Sequence, residues 1–317
     1  MFVRGLNELG VDDFDRNVDV DLLVVCAIDD ARTTGTNDVL HAISVRDKVA
    51  DLCIEATHVL PDDVRQGLRD AQATEKAPLA KQVLVELIDN FDIAQREMIP
   101  LCQDTGTTVV FAELGQDAHI VGGSLEEAIH AGVGQGYTSG YMRASIVEHP
   151  MTTRENTGNN TPAVIHYDIV PGEHLHLKIL PKGGGCENMS RFVNLLPRAG
   201  KDAVINFVLR AIEESGGNPC PPLIVGVGVG GTAEKSMELA KKAVTRGVGS
   251  QSEDPEVAAL EQEMLEKVNA LGVGPQAVGG TNTALQVSIL TYPTHITALP
   301  VAVNIQCHSA RLKEVTL

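Results

Sequence analysis

The hydrophobic periodicity of the chain changes near residue 100, and this change limits the folds that the chain can adopt. Up to Glu97 the apolar residues recur at helical spacing. One face of "VRDKVADLCIEATHVL" carries Val45, Val49, Leu52, Cys53 and Ala56. After Gly106, short apolar runs such as "TTVVFAEL", "PLIVGVGV" and "LPVAVNIQ" predict strands that mix irregularly with helices. The sequence therefore predicts an α+β (mixed α/β) fold, with a helical N-terminal region packed on a mixed β-sheet, rather than a barrel.

Local signals fix several of the predicted elements. Pro61, followed by two aspartates, begins a second helix, and "PLAKQVLVELIDNFDIAQRE" predicts a third. Ser124 is typical of a helix N-cap, with Glu127 completing a capping box. The alternating runs "PAVIHYDIV" and "HLHLKIL", joined by "PGE", predict a β-hairpin. Cys53 lies on an apolar helical face, so we expect it in the core as a small hydrophobic residue.

Composition divides the chain and excludes several classes of protein. Residues 1–40 hold nine acidic and three basic residues, which predicts an acidic N-terminal extension, with one domain over residues 41–317. The net charge of −17 argues against nucleic-acid binding, which needs clustered Lys and Arg. No run approaches the roughly 20 apolar residues of a membrane helix. The acidic start lacks the layout of a secretory signal, so we expect a cytoplasmic protein.

Three of the six cysteines lie at junctions between predicted elements. Cys102 precedes a strand in "IPLCQDTG", Cys220 lies in the stiff loop "NPCPP", and Cys307 ends a strand in "VNIQCHSAR". The chain contains no CxxC pair, so zinc-finger spacing is excluded. Spacing alone leaves two interpretations open, which are a shared metal site and three unrelated cysteines.

Two glycine-rich segments are candidate binding loops. "PKGGGCENMS" allows backbone amides to approach an anion, although a flexible turn explains it equally well. Cys186 in this segment could be a fourth ligand or a bystander. "GVGVGG" fits the dinucleotide pattern GxGxxG, but no second strand directly follows its helix, which disfavours a dinucleotide site.

Several histidines and one arginine complete the list of candidates. His174 and His176 share a strand face without a third ligand nearby, which favours a solvated face. His295 lies in a turn between two strands, in "YPTHITALP". Arg143, in "GYMRASI", is typical of a buried arginine that recognises a carboxylate through a bidentate pair of hydrogen bonds.

Together these segments resemble the iron–sulfur (class I) fumarate hydratases. The resemblance rests on "IPLCQDTG", "NTGNNTPAVIHYDIVPG", "KGGG" with "ENMS", "NPCPPLIVGVGVGGT" and "YPTHITALPVAVNIQCHSAR". It covers about residues 41–317. It is to the α subunit of the two-subunit form, or equally to the N-terminal part of the single-chain form.

The resemblance implies a 4Fe–4S cofactor and a set of site residues. The implied cluster ligands are Cys102, Cys220 and Cys307, which leave one iron open as a Lewis acid. Cys186 stands where the family commonly has serine and is not counted as a ligand. The implied catalytic residues are Asp104, as a general acid, and His295. The implied substrate contacts are Gln103, Arg143, Lys182, Gly184 and Gly185.

The resemblance also implies a partner and an activity. The single-chain enzymes continue beyond the third cysteine with a domain that supplies further cations and the base. A separate β subunit is therefore expected, in a higher oligomer such as a dimer of αβ units. The expected reaction is reversible hydration of fumarate to (S)-malate, a small dicarboxylate. The alternatives are L-tartrate dehydratase, a catalytically inactive iron–sulfur protein, and a metal-independent binding module.

Overall fold

The computed structural model describes residues 40–317, and its helices and strands confirm the predicted change of pattern. Most of the predicted extension, residues 1–40, lies outside the described residues. The elements in chain order are β1 (Leu40–His41), α1 (Ala42–His58), α2 (Asp62–Thr74), α3 (Pro78–Glu97), β2 (Thr107–Gly115), β3 (Ile120–Val121), α4 (Leu125–Ser139), β4 (Val164–Val170), β5 (Leu175–Lys182), α5 (Gly184–Glu187), β6 (Arg191–Leu195), α6 (Gly200–Ser215), β7 (Leu223–Gly230), α7 (Ala233–Ala243), α8 (Pro255–Ala270), β8 (Ala284–Tyr292), β9 (Leu299–Gln306) and β10 (Lys313–Thr316). Short 3₁₀ turns precede α6 and β8.

The helical part forms where the sequence predicted it. Pro78 occupies the first turn of α3, and two aspartates lie in the first turn of α2. Ser124 caps α4 by accepting a hydrogen bond from the Glu127 amide. Cys53 is fully buried on α1, and this burial raises the pKa of its thiol to about 12. Cys53 is therefore a core residue, as predicted.

The first four-stranded sheet has the order β10–β5–β2–β4, so the predicted hairpin of β4 with β5 is wrong. β2 lies between them, parallel to β4 and antiparallel to β5. Its residues are largely buried, and its backbone pairs with a strand on each side. The turn after β4 crosses the end of β2, where a Cβ on Gly115 would lie 2.4 Å from the Gly172 oxygen. Glycine at position 115 thus permits the crossing that separates the two strands.

The second sheet has the order β6–β9–β7–β8, and α7 packs directly on β7. A Cβ on Gly226 would lie 2.1 Å from the Ala240 oxygen, and one on Gly228 would lie 2.0 Å from the Ser236 oxygen. These glycines of "GVGVGG" are therefore required for close packing of a helix on a strand. This packing accounts for the glycine pattern without a dinucleotide.

Three apolar cores hold the two sheets and their helices together. One lies between α1, α4 and the first sheet, and a second lies between α6, α8 and the second sheet. A third core joins the sheets, with residues of α2 and α3 packed between β2, β5 and β7. Leu101 and Ala310, which are close in sequence to Cys102 and Cys307, belong to this joining core. The cysteine loops are therefore anchored where the two sheets meet.

The architecture confirms an α+β fold with a helical N-terminal region on mixed sheets. Among residues 40–317, no helix combines the length and apolar character needed to cross a membrane.

Candidate functional site

Strand pairing brings the loops of Cys220 and Cys307 to the same edge of the second sheet. β7 and β9 are antiparallel, with Ile224 opposite Gln306, so the start of one strand lies beside the end of the other. The Cys220 carbonyl accepts hydrogen bonds from the His308 amide at 3.3 Å and from the His308 ring nitrogen Nδ1 at 2.9 Å. The two loops are therefore joined directly through their backbones.

Cys102 reaches the same region from the end of α3. The residue before it, Leu101, is buried and donates its amide to the Thr57 oxygen at 2.9 Å, while Cys102 itself is exposed. Burial raises the pKa of the Cys220 thiol, and the negative charges of Cys102, Cys186 and Asp104 add to this rise. A charge on the Cys102 thiol therefore acts on the Cys220 thiol.

The Cys220 loop holds its cysteine in an uncommon conformation. The φ angle of Cys220 is 53°, in the left-handed region that residues other than glycine seldom adopt. The Pro221 carbonyl that follows accepts from the Gln276 amide at 2.9 Å and from the Gln276 side chain at 2.8 Å. Strain of this kind, of order 1–3 kcal/mol, persists only when the surroundings enforce it, and it concentrates at functional sites.

The cysteines of these three loops are the residue type that holds iron–sulfur clusters. Among the described residues, no group of three or more His, Cys, Asp or Glu side chains is arranged to hold one metal ion. Cys102 is exposed, and Cys220 and Cys307 are partly exposed, so none of the three is fully enclosed by the described part of the chain. Thiolates that each bind a different iron of a cluster do not have to meet at one point.

Asp104 belongs to the Cys102 loop and connects it to the glycine-rich loop. Its Oδ2 accepts from the Gly184 amide at 2.7 Å, and its Oδ1 accepts from the Gly106 amide at 3.1 Å. Gly184 and Gly185 are exposed at the start of α5. One amide of the predicted anion-binding loop is thus engaged by a carboxylate of the protein itself, which orients Asp104.

Gln103 and Arg143 are exposed next to Asp104. The Thr105 hydroxyl donates to the Arg143 oxygen at 2.8 Å, which fixes the arginine backbone beside this loop. The expectation of a buried arginine is wrong, because Arg143 is exposed. Its guanidinium makes no hydrogen bond or ion pair with the part of the chain that the structure describes. The side chain is therefore available to a ligand.

Lys182 is not presented to this exposed site. Only 1% of its side chain is exposed, and its amine donates to the Ile305 oxygen and to the Cys186 sulfur, the latter at 3.2 Å. The Glu187 carboxylate lies 3.4 Å from the same amine. The placement corrects the expectation of a substrate-binding lysine, because this ammonium is already neutralised and hydrogen-bonded inside the protein.

His295 lies at the opposite end of the second sheet from Cys307. It belongs to the turn between β8 and β9, whereas Cys307 follows the last residue of β9. Eight residues of strand separate the two ends, which corresponds to about 25 Å at the usual rise. The exposed His295 ring contacts the Thr297 hydroxyl at 2.8 Å. Within a single chain, His295 therefore lies far from the cysteine loops, contrary to the expectation that it shares their pocket.

Two residues outside the predicted ligands and substrate contacts lie within the site. Arg311 is 1% exposed, and its guanidinium donates to the Asp104 backbone oxygen, so it ties the Cys102 loop to the Cys307 loop. Its only sequence signal was a position four residues after Cys307. Cys186 is buried beside Cys307. A hydrogen bond from Cys307, aided by the Lys182 charge, lowers the pKa of Cys186 to about 5 against the effect of burial. The same contact, with burial, raises the pKa of Cys307.

The fold and these loops define an α+β protein with cysteine-bearing loops near the junction of its two sheets. The family model described as "Fumarate hydratase (Fumerase)" matches residues 46–316. The chain belongs to the fumarate hydratase (Fumerase) family, which confirms the resemblance seen in the sequence.

Relatives within this family carry the name of a second hydro-lyase. The chain is 39% identical over 276 residues to the "Putative L(+)-tartrate dehydratase subunit alpha" of Methanocaldococcus jannaschii, covering 85% of this chain and 96% of the relative. It is 31% identical over 255 residues to the "L(+)-tartrate dehydratase subunit alpha" of Escherichia coli (strain K12), covering 80% and 84%. The family and these names support a hydro-lyase.

Proposed function

We propose that this chain is the α subunit of an iron–sulfur hydro-lyase that reversibly adds water to fumarate and gives (S)-malate. The observation that carries the proposal is the convergence of the Cys102, Cys220 and Cys307 loops around Asp104. Residues 41–317 would form one cluster-binding domain. The family description favours fumarate as the substrate. The names of the relatives favour L-tartrate as a second candidate.

The three cysteines would hold the cofactor. Cys102, Cys220 and Cys307 would bind a 4Fe–4S cluster, and three thiolates for four irons leave one iron without a protein ligand. When bound, the cluster supplies a Lewis acid for the substrate carboxylate and hydroxyl. The buried Cys186 lies against Cys307 and Lys182. It would support the Cys307 loop without being a ligand.

Asp104 would handle a proton at the hydroxyl of the substrate. Two backbone amides fix its carboxyl group, and its loop begins at the exposed Cys102. In dehydration Asp104 would protonate the departing hydroxide, and in hydration it would take a proton from the attacking water. A fixed orientation reduces the entropy that must be lost when substrate, acid and leaving group come together.

The remaining exposed donors would bind carboxylate. Arg143 has no partner among the described side chains, and a guanidinium matches a carboxylate in a bidentate geometry. Gln103 and the amide of the exposed Gly185 would add neutral donors, while the Gly184 amide, which donates to Asp104, would orient that carboxylate. A dicarboxylate has a second charged end, and Lys182 is buried and neutralised. The second carboxylate and the proton on carbon would therefore require groups from a partner, which we propose is a β subunit.

The deciding experiment compares the anaerobically reconstituted chain with and without its β subunit. The chain alone should bind nearly four irons and show negligible turnover. Addition of the β subunit should raise the activity by several orders of magnitude, because positioning and base arrive together. Assays on fumarate, mesaconate and L-tartrate would distinguish the two candidate substrates. Robust turnover by the chain alone would contradict the two-subunit proposal.

Cysteine variants test the cluster independently of activity. Cys102→Ser, Cys220→Ser and Cys307→Ser should each abolish the iron content and the brown colour. Cys53→Ala is the matched control, because Cys53 lies in a separate core, and it should retain both. Full iron content in any of the three serine variants would refute the ligand assignment.

A further inference from the structure

A cavity lies between the two sheets, and most of the charged residues in its walls are cations. It has a volume of about 540 Å³ and extends from α2 to β10. Its charged lining consists of the cations Lys178, Arg246, Arg311 and Lys313 and the acids Asp63 and Glu314. Arg246 pairs with Glu261 and Lys178 pairs with Glu314, so the unpaired cations are Arg311 and Lys313 among the described residues. The chain as a whole has a net charge of −17. A locally cationic cavity in so acidic a protein would concentrate small anions.

The two most buried polar residues of this cavity carry donors without acceptors. Gln306 is 0% exposed and Arg311 is 1% exposed. The Gln306 Nε2 and the Arg311 Nε are both buried, and neither has a hydrogen-bond partner among the described residues. A buried donor left unpaired costs about 1–3 kcal/mol. Both missing partners are acceptors, so the group that would complete this cavity is one that offers oxygen atoms.

The charges that could satisfy these donors from within the protein are engaged elsewhere. Glu314 lies 3.3 Å from the Lys178 amine, and Asp63 accepts the Val248 amide at 2.5 Å. Lys313 is partly exposed and forms no ion pair within the described part of the chain. The cavity therefore retains two cations, Arg311 and Lys313, without a carboxylate partner.

We propose that this cavity binds a small oxyanion, a carboxylate or a phosphate, through Gln306, Arg311 and Lys313. It adjoins the exposed site of Asp104 and Arg143, and the proposal does not depend on the function proposed above. Arg311 connects the two, because its guanidinium also donates to the Asp104 backbone oxygen. An oxyanion that fixes Arg311 would therefore also fix the loop that carries Cys102 and Asp104.

The test follows the unpaired donors directly in the isotope-labelled full-length chain. Inorganic phosphate and acetate are titrated separately at constant ionic strength, and the side-chain NMR signals of Gln306 Nε2 and Arg311 Nε are recorded. Saturable shifts of both signals are expected, and the lower Kd identifies phosphate or carboxylate as the preferred oxyanion. Absence of saturable shifts with either anion would mean that water alone fills the cavity and would overturn the proposal.

Two charge-matched variants locate the binding. Lys313→Glu should weaken the Kd by about tenfold or more, because it reverses a charge at the cavity wall. Lys201→Glu makes the same change on α6, where Lys201 pairs with Glu263, and should leave the Kd within about twofold. Gln306→Leu removes one donor and should also weaken binding, as followed at Arg311. Equal weakening by Lys313→Glu and Lys201→Glu would show only a general charge effect and would refute the site.

Discussion

Replacement of Asp104 by asparagine would test the proposed general acid. The structure shows that this substitution also alters hydrogen bonds that position the loop. Each carboxylate oxygen accepts a backbone amide, from Gly184 at 2.7 Å and from Gly106 at 3.1 Å. Asparagine keeps one oxygen and puts an amino group where the other was. One amide would then face a second donor.

The expected losses separate into a structural part and a chemical part. A hydrogen bond to a charged group contributes about 1.5–3 kcal/mol and a neutral one about 1 kcal/mol, while an unpaired buried donor costs about 1–3 kcal/mol. The Asp104→Asn variant should therefore destabilise this loop by about 2–4 kcal/mol. Loss of positioned proton transfer should lower kcat by about 10²–10⁴. That range equals about 3–5 kcal/mol of transition-state stabilisation.

The assay measures both parts in the anaerobic complex with the β subunit. Iron content and Tm report the structural part, and kcat with KM reports the chemical part. We expect iron to be retained, Tm to fall, and kcat to fall much more than KM rises. Asp89→Asn is the matched control, because Asp89 is exposed on α3 and its side chain forms no hydrogen bond or ion pair with the described residues. An Asp104→Asn variant with full iron and nearly wild-type kcat would refute the proton-transfer role.

Two further predictions concern stability. Burial raises the pKa of Glu75, but hydrogen bonds from the Ala77 amide and the Asn282 side chain, with others, outweigh it and lower the pKa to about 2. This stabilisation is present above the ordinary carboxyl range near pH 4 and is lost as the pH falls toward 2. In Glu75→Gln, the free energy of unfolding measured in urea should therefore lose about 2 kcal/mol of its dependence on pH over this acid range. Parallel pH profiles of the variant and the wild type would contradict the prediction. Gly228→Ala puts a Cβ 2.0 Å from the Ser236 oxygen and should cost about 3 kcal/mol or more, seen as a lower Tm; an unchanged Tm would show that α7 can move away from β7.

The sequence by itself determined the local elements of this protein. Helical spacing placed Cys53 in the core, Ser124 marked the start of α4, and Pro78 marked the start of α3. These features succeed because periodicity and caps involve residues within one or two turns of each other. The cysteine-bearing junctions were also visible, because each lies beside a predictable strand or helix end.

Tertiary structure decided which elements pair and which side chains share a site. The segments of β4 and β5 with the short turn between them predicted a hairpin, yet β2 lies between the two strands and pairs with both. Lys182 looked like a substrate ligand and is buried, and His295 looked close to Cys307 in sequence and lies a strand length away. The role of Arg311 follows from a tertiary contact, because its guanidinium donates to the Asp104 backbone oxygen. Local patterns carry no information on such contacts, because long-range pairing and burial depend on how the two sheets pack against each other.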